Sequence, residues 1–327
     1  LDPLVGHRQH EAMTPTRMPL RTASAVTFFY AMGYPIGNLA VNAMTPMAVL
    51  VFRFGLAAAI LGAWARIARV AWPTGRKLGH VAVTGLLMQA VQFCALYLAI
   101  QRGAPAVLCA VIVAMNPVAT ALLAATFLRD RLSPRRILAL VIGVGAVLSA
   151  CASRLIADGG VDPAVLLLVV ALLGLAAGGV YQQRFCAEVD FRASTAVQNA
   201  VAFVPAVILT LATPFAIHDG VKAAVAVGGV VLLNATLGVS LYVRAINLHG
   251  AAAVSMLFCV IPAVAGVLSW LMLGQRVDVG IGVGLLLGGL ACWLNANPSG
   301  QQRQHDPGRD GRRQHGVEAV HQPAVAR

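Results

Sequence analysis

Long unbroken apolar runs set the pattern of this chain. They recur over 22–43, 46–65, 79–101, 104–127, 137–153, 163–182, 196–216, 224–247, 250–273 and 279–297. Such lengths suit a helix crossing a bilayer core of roughly 30 Å at about 1.5 Å per residue. No run alternates apolar and polar positions as a membrane barrel strand does. The pattern therefore predicts an all-α integral membrane protein with ten transmembrane helices. Connections between runs are short. Residues 1–21 and 298–327 are polar, rich in Arg and Gln, and lack periodicity, so both are expected to be disordered tails. The chain begins with Leu1, which leaves Met13 and Met18 as candidate starts. The first apolar run is longer than a secretory signal and nine like it follow, so a retained helix is expected.

Composition supports the class. The chain is 59% hydrophobic and only 11% charged, against about a quarter charged in soluble domains. A soluble fold of this size lacks the interior to hide so much apolar surface. The net charge of +12 raises nucleic acid as a partner, but topology accounts for it. With the N-terminus inside, cytoplasmic segments hold eighteen Lys and Arg, whereas outer loops hold four: Arg102, Arg154, Lys222 and Arg276. That asymmetry predicts a multi-pass protein of the cell (inner) membrane with both termini cytoplasmic, and no nucleic-acid partner. Arg53 and Arg244 lie within helices. The six cysteines form no CxxC pair and five fall in or beside predicted helices, which suggests packing rather than a disulfide or metal framework.

Sliding the chain by 145 residues aligns it with itself. Gly33 falls on Gly178, Leu96 on Leu241, Tyr97 on Tyr242, Pro117 on Pro262, Leu123 on Leu268, Arg131 on Arg276 and Gly143 on Gly288. Predicted helices 1–5 map onto helices 6–10 without a gap. Chance readily matches Leu with Leu, less readily a proline, a tyrosine and an arginine in one register. The expected organisation is two five-helix repeats, 22–155 and 163–297. An odd helix count inverts the second copy, the architecture of many secondary transporters.

The same offset pairs polar and helix-breaking positions near mid-depth. Gln89 maps to Asn234, and Pro117, preceded by Asn116, maps to Pro262. A proline removes one backbone donor and frees a carbonyl one turn earlier. Interrupted helices at matching places in two halves point to a binding site, although bending for packing explains the prolines equally. Interhelical hydrogen bonds are the alternative for Gln89 and Asn234, but their pairing across the offset at mid-depth favours a cavity lining. Gln92 lies three residues beyond Gln89 and would share its face. Tyr30, Tyr34 and Asn38 recur every four residues along helix 1. "GYPIG" (33–37), "GLAAG" (174–178) and "GLLLG" (284–288) carry GxxxG spacing, read as close helix packing; none opens a helix after a strand, as a nucleotide loop would.

All twelve acidic residues fall in tails, loops or helix ends. A buried carboxylate proton carrier is therefore absent from the predicted helices. The expected substrate is a neutral, zwitterionic or anionic small molecule. No paired acids or nucleophile–base set lies within the membrane, so no enzyme activity and no cofactor are expected.

The residues of "RFGLAAAIL" (53–61) and "ALYLAIQRGAPAVLCAVIVAMNPVATALLAATFLRDRLSPRRILALVIGVGAVL" (95–148) resemble one EamA repeat of the drug/metabolite transporter superfamily. "SLYVRAINLHGAAAVSMLFCVIPAVAGVLSWLMLGQRVDVGIGVGLLLGGLACW" (240–293) is similar in the second half. In that family helix 2 often begins with Arg-Phe, helix 4 carries a mid-helix proline and ends in a Gly-Glu-Arg-like turn, and a Gly-rich helix 5 follows. Here the first turn reads Arg129-Asp130-Arg131 without the glycine. The second reads Gly274-Gln275-Arg276 without the acid. The resemblance spans about 22–297 and implies a ten-helix inner-membrane transporter, usually an exporter of metabolites or amino acids.

The expected function is thus secondary transport of a small metabolite or amino acid, outward, by alternating access. A non-transporting scaffold or a lipid-acting membrane enzyme is the alternative, and self-association into a homodimer stays open. Gln89, Gln92, Asn116, Asn234, Arg53, Gln198, Tyr30, Tyr34 and Asn38 are the nine candidate substrate-binding residues of the cavity lining, with Pro117 and Pro262 as hinges. Arg53 lies about 10 Å into helix 2 by helical rise, and the offset sets Gln198 opposite it. Three readings of Arg53 stand: a cation for an anionic substrate, a clamp on freed carbonyls, or an orientation signal.

Overall fold

A computed structural model describes residues 18–104, 112–127 and 163–274, with isolated positions at 109, 134, 137–138 and 141–142. The helices are α1 (Leu20–Ala43), α2 (Pro46–Ile67), α3 (Gly75–Gln101), α4 (Asn116–Phe127), α5 (Pro163–Phe185), α6 (Phe191–Thr210), α7 (Gly220–His249), α8 (Ala251–Ser255) and α9 (Ile261–Leu273). Among the described residues the only strand-like pairing is an isolated bridge, Met44 with Ile217. Five of these helices (α2, α3, α5, α6 and α7) are long and apolar enough to cross a membrane, and α8 with α9 would make a sixth, bent span. α1 has 24 residues but carries Tyr30, Tyr34, Asn38 and Asn42 along its length. The expected helix over 279–297, most of that over 137–153, and the tails apart from residues 18–21 lie outside the described residues.

Expected and observed bounds agree closely for α1, α2 and α5 and differ elsewhere for physical reasons. α6 starts and ends five to six residues earlier than the apolar run 196–216. Its start is set by Asp190, whose carboxylate accepts a hydrogen bond from the Arg192 backbone N–H at 2.9 Å. Its end comes before Pro214, which cannot continue a helix. The run 250–273 is not one helix. Gly250, at φ 83°, closes α7; a short 3-10 turn, Met256–Cys259, then separates α8 from α9, and the pair is bent by 45°.

The Asp190 cap yields a pH-dependent expectation. Hydrogen bonds from the Arg192 side chain, the largest cause, hold the Asp190 carboxyl below its ordinary range. A folded-state pKa lowered in this way stabilises the fold above the unfolded value near 3.9, and the contribution is lost as pH falls through the folded value. Asp190→Ala should lower stability by about 1 kcal/mol at neutral pH. The gap to the wild type should close below about pH 4. Thermal unfolding of the detergent-solubilised protein across pH measures this, and a gap that stays constant into acid would refute it.

The 145-residue offset recurs in the helices themselves. α2 and α6 start 145 residues apart, as do α3 and α7, and α4 and α9. α3 and α7 each change to π-helix at matching places, Leu86–Val91 and Val230–Gly238. Contacts between the halves occur in matched pairs. α2 packs along α6; α1 rests on α7 and α9, while α5 rests on α3 and α4.

Glycines permit the closest of these approaches. A Cβ on Gly178 would stand 2.6 Å from Met88 Cβ and 2.9 Å from the Met88 backbone nitrogen. One on Gly174 would stand 2.8 Å from the Leu87 carbonyl oxygen. The "GLAAG" face of α5 thus lies directly on the π-helical turn of α3. On the other side, Gly33 of α1 faces Asn234 in the π-helical turn of α7. Gly284 and Gly288 lie outside the described residues. Cys94, Cys109 and Cys186 are buried, whereas Cys259 is disulfide-bonded, so the packing reading is corrected for that cysteine.

Candidate functional site

α1, α2, α3 and α7 surround a cavity of about 330 Å³, at the lower end of the size range of small-molecule pockets. α1 contributes Tyr30, Tyr34, Asn38 and Asn42; α2 contributes Arg53; α3 contributes Gln92, Phe93 and Tyr97; α7 contributes Val230 and Asn234. Leu96, Ile100 and Val113 complete an apolar flank. Among the described residues the lining has no acidic side chain.

Local geometry holds the polar groups in place. Gln92 Nε2 donates to the Tyr30 hydroxyl at 3.2 Å, and Asn234 Nδ2 donates to the Tyr30 carbonyl oxygen at 3.1 Å. The Tyr30 ring packs edge-on against Phe258, 5.0 Å between centroids, and tilts against Tyr242. Asn42 Nδ2 donates to Asn38 Oδ1 at 3.0 Å. Arg53 is only 1% exposed. Its guanidinium carbon lies 3.5 Å from the centroid of the Phe93 ring, and Tyr97 lines the same cavity. Its Nε and Nη2 are buried and find no hydrogen-bond partner among the described residues.

Six of the nine candidate lining residues meet in this cavity: Tyr30, Tyr34, Asn38, Arg53, Gln92 and Asn234. The structure places Gln89, Asn116 and Gln198 elsewhere. Gln89 is buried within the π-helical turn of α3. That turn is wider than an α-turn, so Gln89 and Gln92 do not share a face as a three-residue spacing predicts. Asn116 is buried at the start of α4, where its Oδ1 accepts from the Thr120 hydroxyl at 3.3 Å. Gln198 Nε2 donates to Gln182 Oε1 and to Ser194 Oγ, both at 3.0 Å. Gln182 Nε2 in turn donates to Asn247 Oδ1 at 2.9 Å, and Asn247 donates to the Val189 carbonyl oxygen. The place that holds a cavity around Arg53 in one half therefore holds a hydrogen-bonded network around Gln198 in the other.

Pro117 and Pro262 each stand second in their helices, α4 and α9. There a missing backbone N–H breaks no helical bond. They begin new helices after a break and do not interrupt continuous ones. Sequence reasoning passed over Asn42, Phe93 and Tyr97 as lining. Asn42 extends the four-residue stripe of Tyr30, Tyr34 and Asn38, and that spacing was a usable signal.

The sequence profile of the EamA-like transporter family matches this chain twice, over residues 20–151 and 162–297. The chain belongs to the EamA-like transporter family. Each match covers one of the halves related by the 145-residue offset, and the cavity of this EamA-like protein draws residues from both. A solved structure titled "Crystal structure of protein" is similar in fold, with a TM-score of 0.63 and 16% identity over 86% of this chain and 97% of that one. No curated protein matches the chain significantly. Family and apolar helices together identify a multi-pass membrane protein of the drug/metabolite transporter superfamily.

Proposed function

We propose that this EamA-like protein is a secondary transporter that moves a small metabolite or amino acid outward across the inner membrane by alternating access. The cavity walled by both halves carries this reading. Tyr30, Arg53 and Gln92 come from the first half, Val230 and Asn234 from the second. Rocking one half against the other would open such a cavity to opposite sides in turn. The proposed frame is ten helices in two inverted repeats, 22–155 and 163–297, with cytoplasmic tails as the charge asymmetry indicates. Two features support motion between the halves. The breaks before Pro117 and Pro262 are hinge candidates, and the Gln182–Gln198–Asn247 network is a closed counterpart to the cavity around Arg53.

The test is flux in liposomes holding the purified protein, against a panel of neutral, zwitterionic and anionic metabolites. Saturable movement of at least one solute, absent from protein-free liposomes, is the expected result. If no solute moves in either direction under any gradient, the transport reading fails.

A further inference from the structure

Arg53 is the feature of the cavity that ordinary packing leaves unexplained. A cation taken out of water is costly unless it is paired and hydrogen-bonded. Arg53 is 1% exposed, and no acidic side chain stands near it among the cavity-lining residues. The Phe93 face offers a cation–π contact at 3.5 Å. That contact leaves the in-plane N–H groups unused. An arginine that clamps freed carbonyls would direct Nε or Nη2 to a carbonyl oxygen, and neither has such a partner among the described residues. An orientation signal would extend toward the membrane surface, whereas this side chain is enclosed.

The two unpaired donors are not an arbitrary pair. The guanidinium is planar, and its Nε–H and the adjacent Nη2–H project side by side along one edge. That edge matches the two oxygens of a carboxylate, the bidentate geometry for which arginine is suited and lysine is not. Phe93 holds the plane from one side and Arg53 is enclosed by the cavity wall, so the fork is oriented before any ligand arrives.

We propose that Arg53 is the carboxylate-recognising residue of this cavity and that the solute is a small monoanion with a short apolar body. The proposal rests on reading the cavity as the substrate site. Charge balance separates a monoanion from a zwitterion. One arginine neutralises one carboxylate, and among the described residues the lining provides no acid to pair an ammonium group. The amides of Gln92, Asn38 and Asn234 suit an uncharged hydroxyl or keto oxygen. Leu96, Ile100 and Val113 suit a hydrocarbon chain.

The experiment uses the full-length protein in lipid nanodiscs and three probes of one carbon skeleton: 4-methyl-2-oxopentanoate, leucine and 4-methylpentanamide, together with short-chain monocarboxylates. The readout is the ligand-dependent rise in Tm. Monocarboxylates should raise Tm progressively with concentration, and the amide and the zwitterion should bind about tenfold or more weakly. Arg53→Gln, which copies Gln198 of the second half, should abolish that preference. Arg53→Lys keeps the charge without the fork and should retain only part of it. Should Arg53→Gln fail to fold, Arg53→Lys and the wild-type comparison of acid with amide still decide the matter. Equal stabilisation by acid and amide, no response to any monocarboxylate, or a preference unchanged in either variant would each overturn the proposal. The two readings fail separately. Arg53-dependent carboxylate binding with no flux would sink transport alone, whereas flux of neutral or zwitterionic solutes indifferent to Arg53→Gln would sink the carboxylate site alone.

Discussion

Gly178→Ala should destabilise the protein by about 3 kcal/mol, the upper part of the usual range for overpacking. The added Cβ would meet Met88 Cβ at 2.6 Å and the Met88 nitrogen at 2.9 Å. Backbone cannot swing aside as a side-chain end can, so α5 would have to retreat from the π-helical turn of α3. Gly179→Ala is the internal control. A Cβ at Gly179 meets nothing closer than 3.7 Å, the Cβ of Ala251. Thermal unfolding monitored by size exclusion should show a large loss for the first variant and little for its neighbour. Equal losses would mean that helix propensity or lipid exposure, and not the contact with Met88, governs both.

Gly33→Ala should act on the cavity wall itself. Its Cβ would overlap Asn234 Nδ2, the atom that donates to the Tyr30 carbonyl oxygen. A cost of about 2 kcal/mol is expected, through overpacking and loss of that tie between α1 and α7. Asn234→Ala removes both the obstacle and the hydrogen bond. The double variant should therefore be more stable than the sum of the single effects by about 1 kcal/mol or more. Additive losses in a double-mutant cycle of unfolding free energies would rule out this contact as the origin.

The apolar runs made α2 and α5 legible because a membrane helix must be apolar over its whole length, and α1 stood out as a long run despite its polar stripe of Tyr30, Tyr34, Asn38 and Asn42. Ends set by specific groups were less visible. At α6, Ser194 and Thr195 look like loop residues but are buried within the helix, while the apolar stretch from Leu211 to Ala216 lies beyond its end. The 145-residue offset was legible because it is carried by proline, tyrosine and arginine, and it reappears in the starts of paired helices. It misled at Gln198. Matched positions in two repeats need not have matched surroundings: Arg53 borders a cavity, and Gln198 is enclosed by Gln182 and Ser194. Gln89 and Gln92 were separated by a π-helical turn, for which an apolar sequence such as Leu86–Val91 carries no simple signature.

That π-helical turn bears on how such a cavity can persist. An α-helix advances about 100° per residue, and a π-helical turn accommodates extra residues without lengthening the hydrogen-bonded ladder proportionately. Removing one residue from Leu86–Val91 would let that turn close to α-helix, because a π-helical turn spends more residues on the same rotation. The face that carries Gln92, Phe93 and Tyr97 would keep its direction relative to Gly75–Gly85, and the change would fall on Gln89 and its neighbours within the turn. The turn is thus a place where α3 can gain or lose a residue without turning the lining away from Arg53. A single codon gained or lost there alters the local backbone and leaves the pocket's chemistry in place.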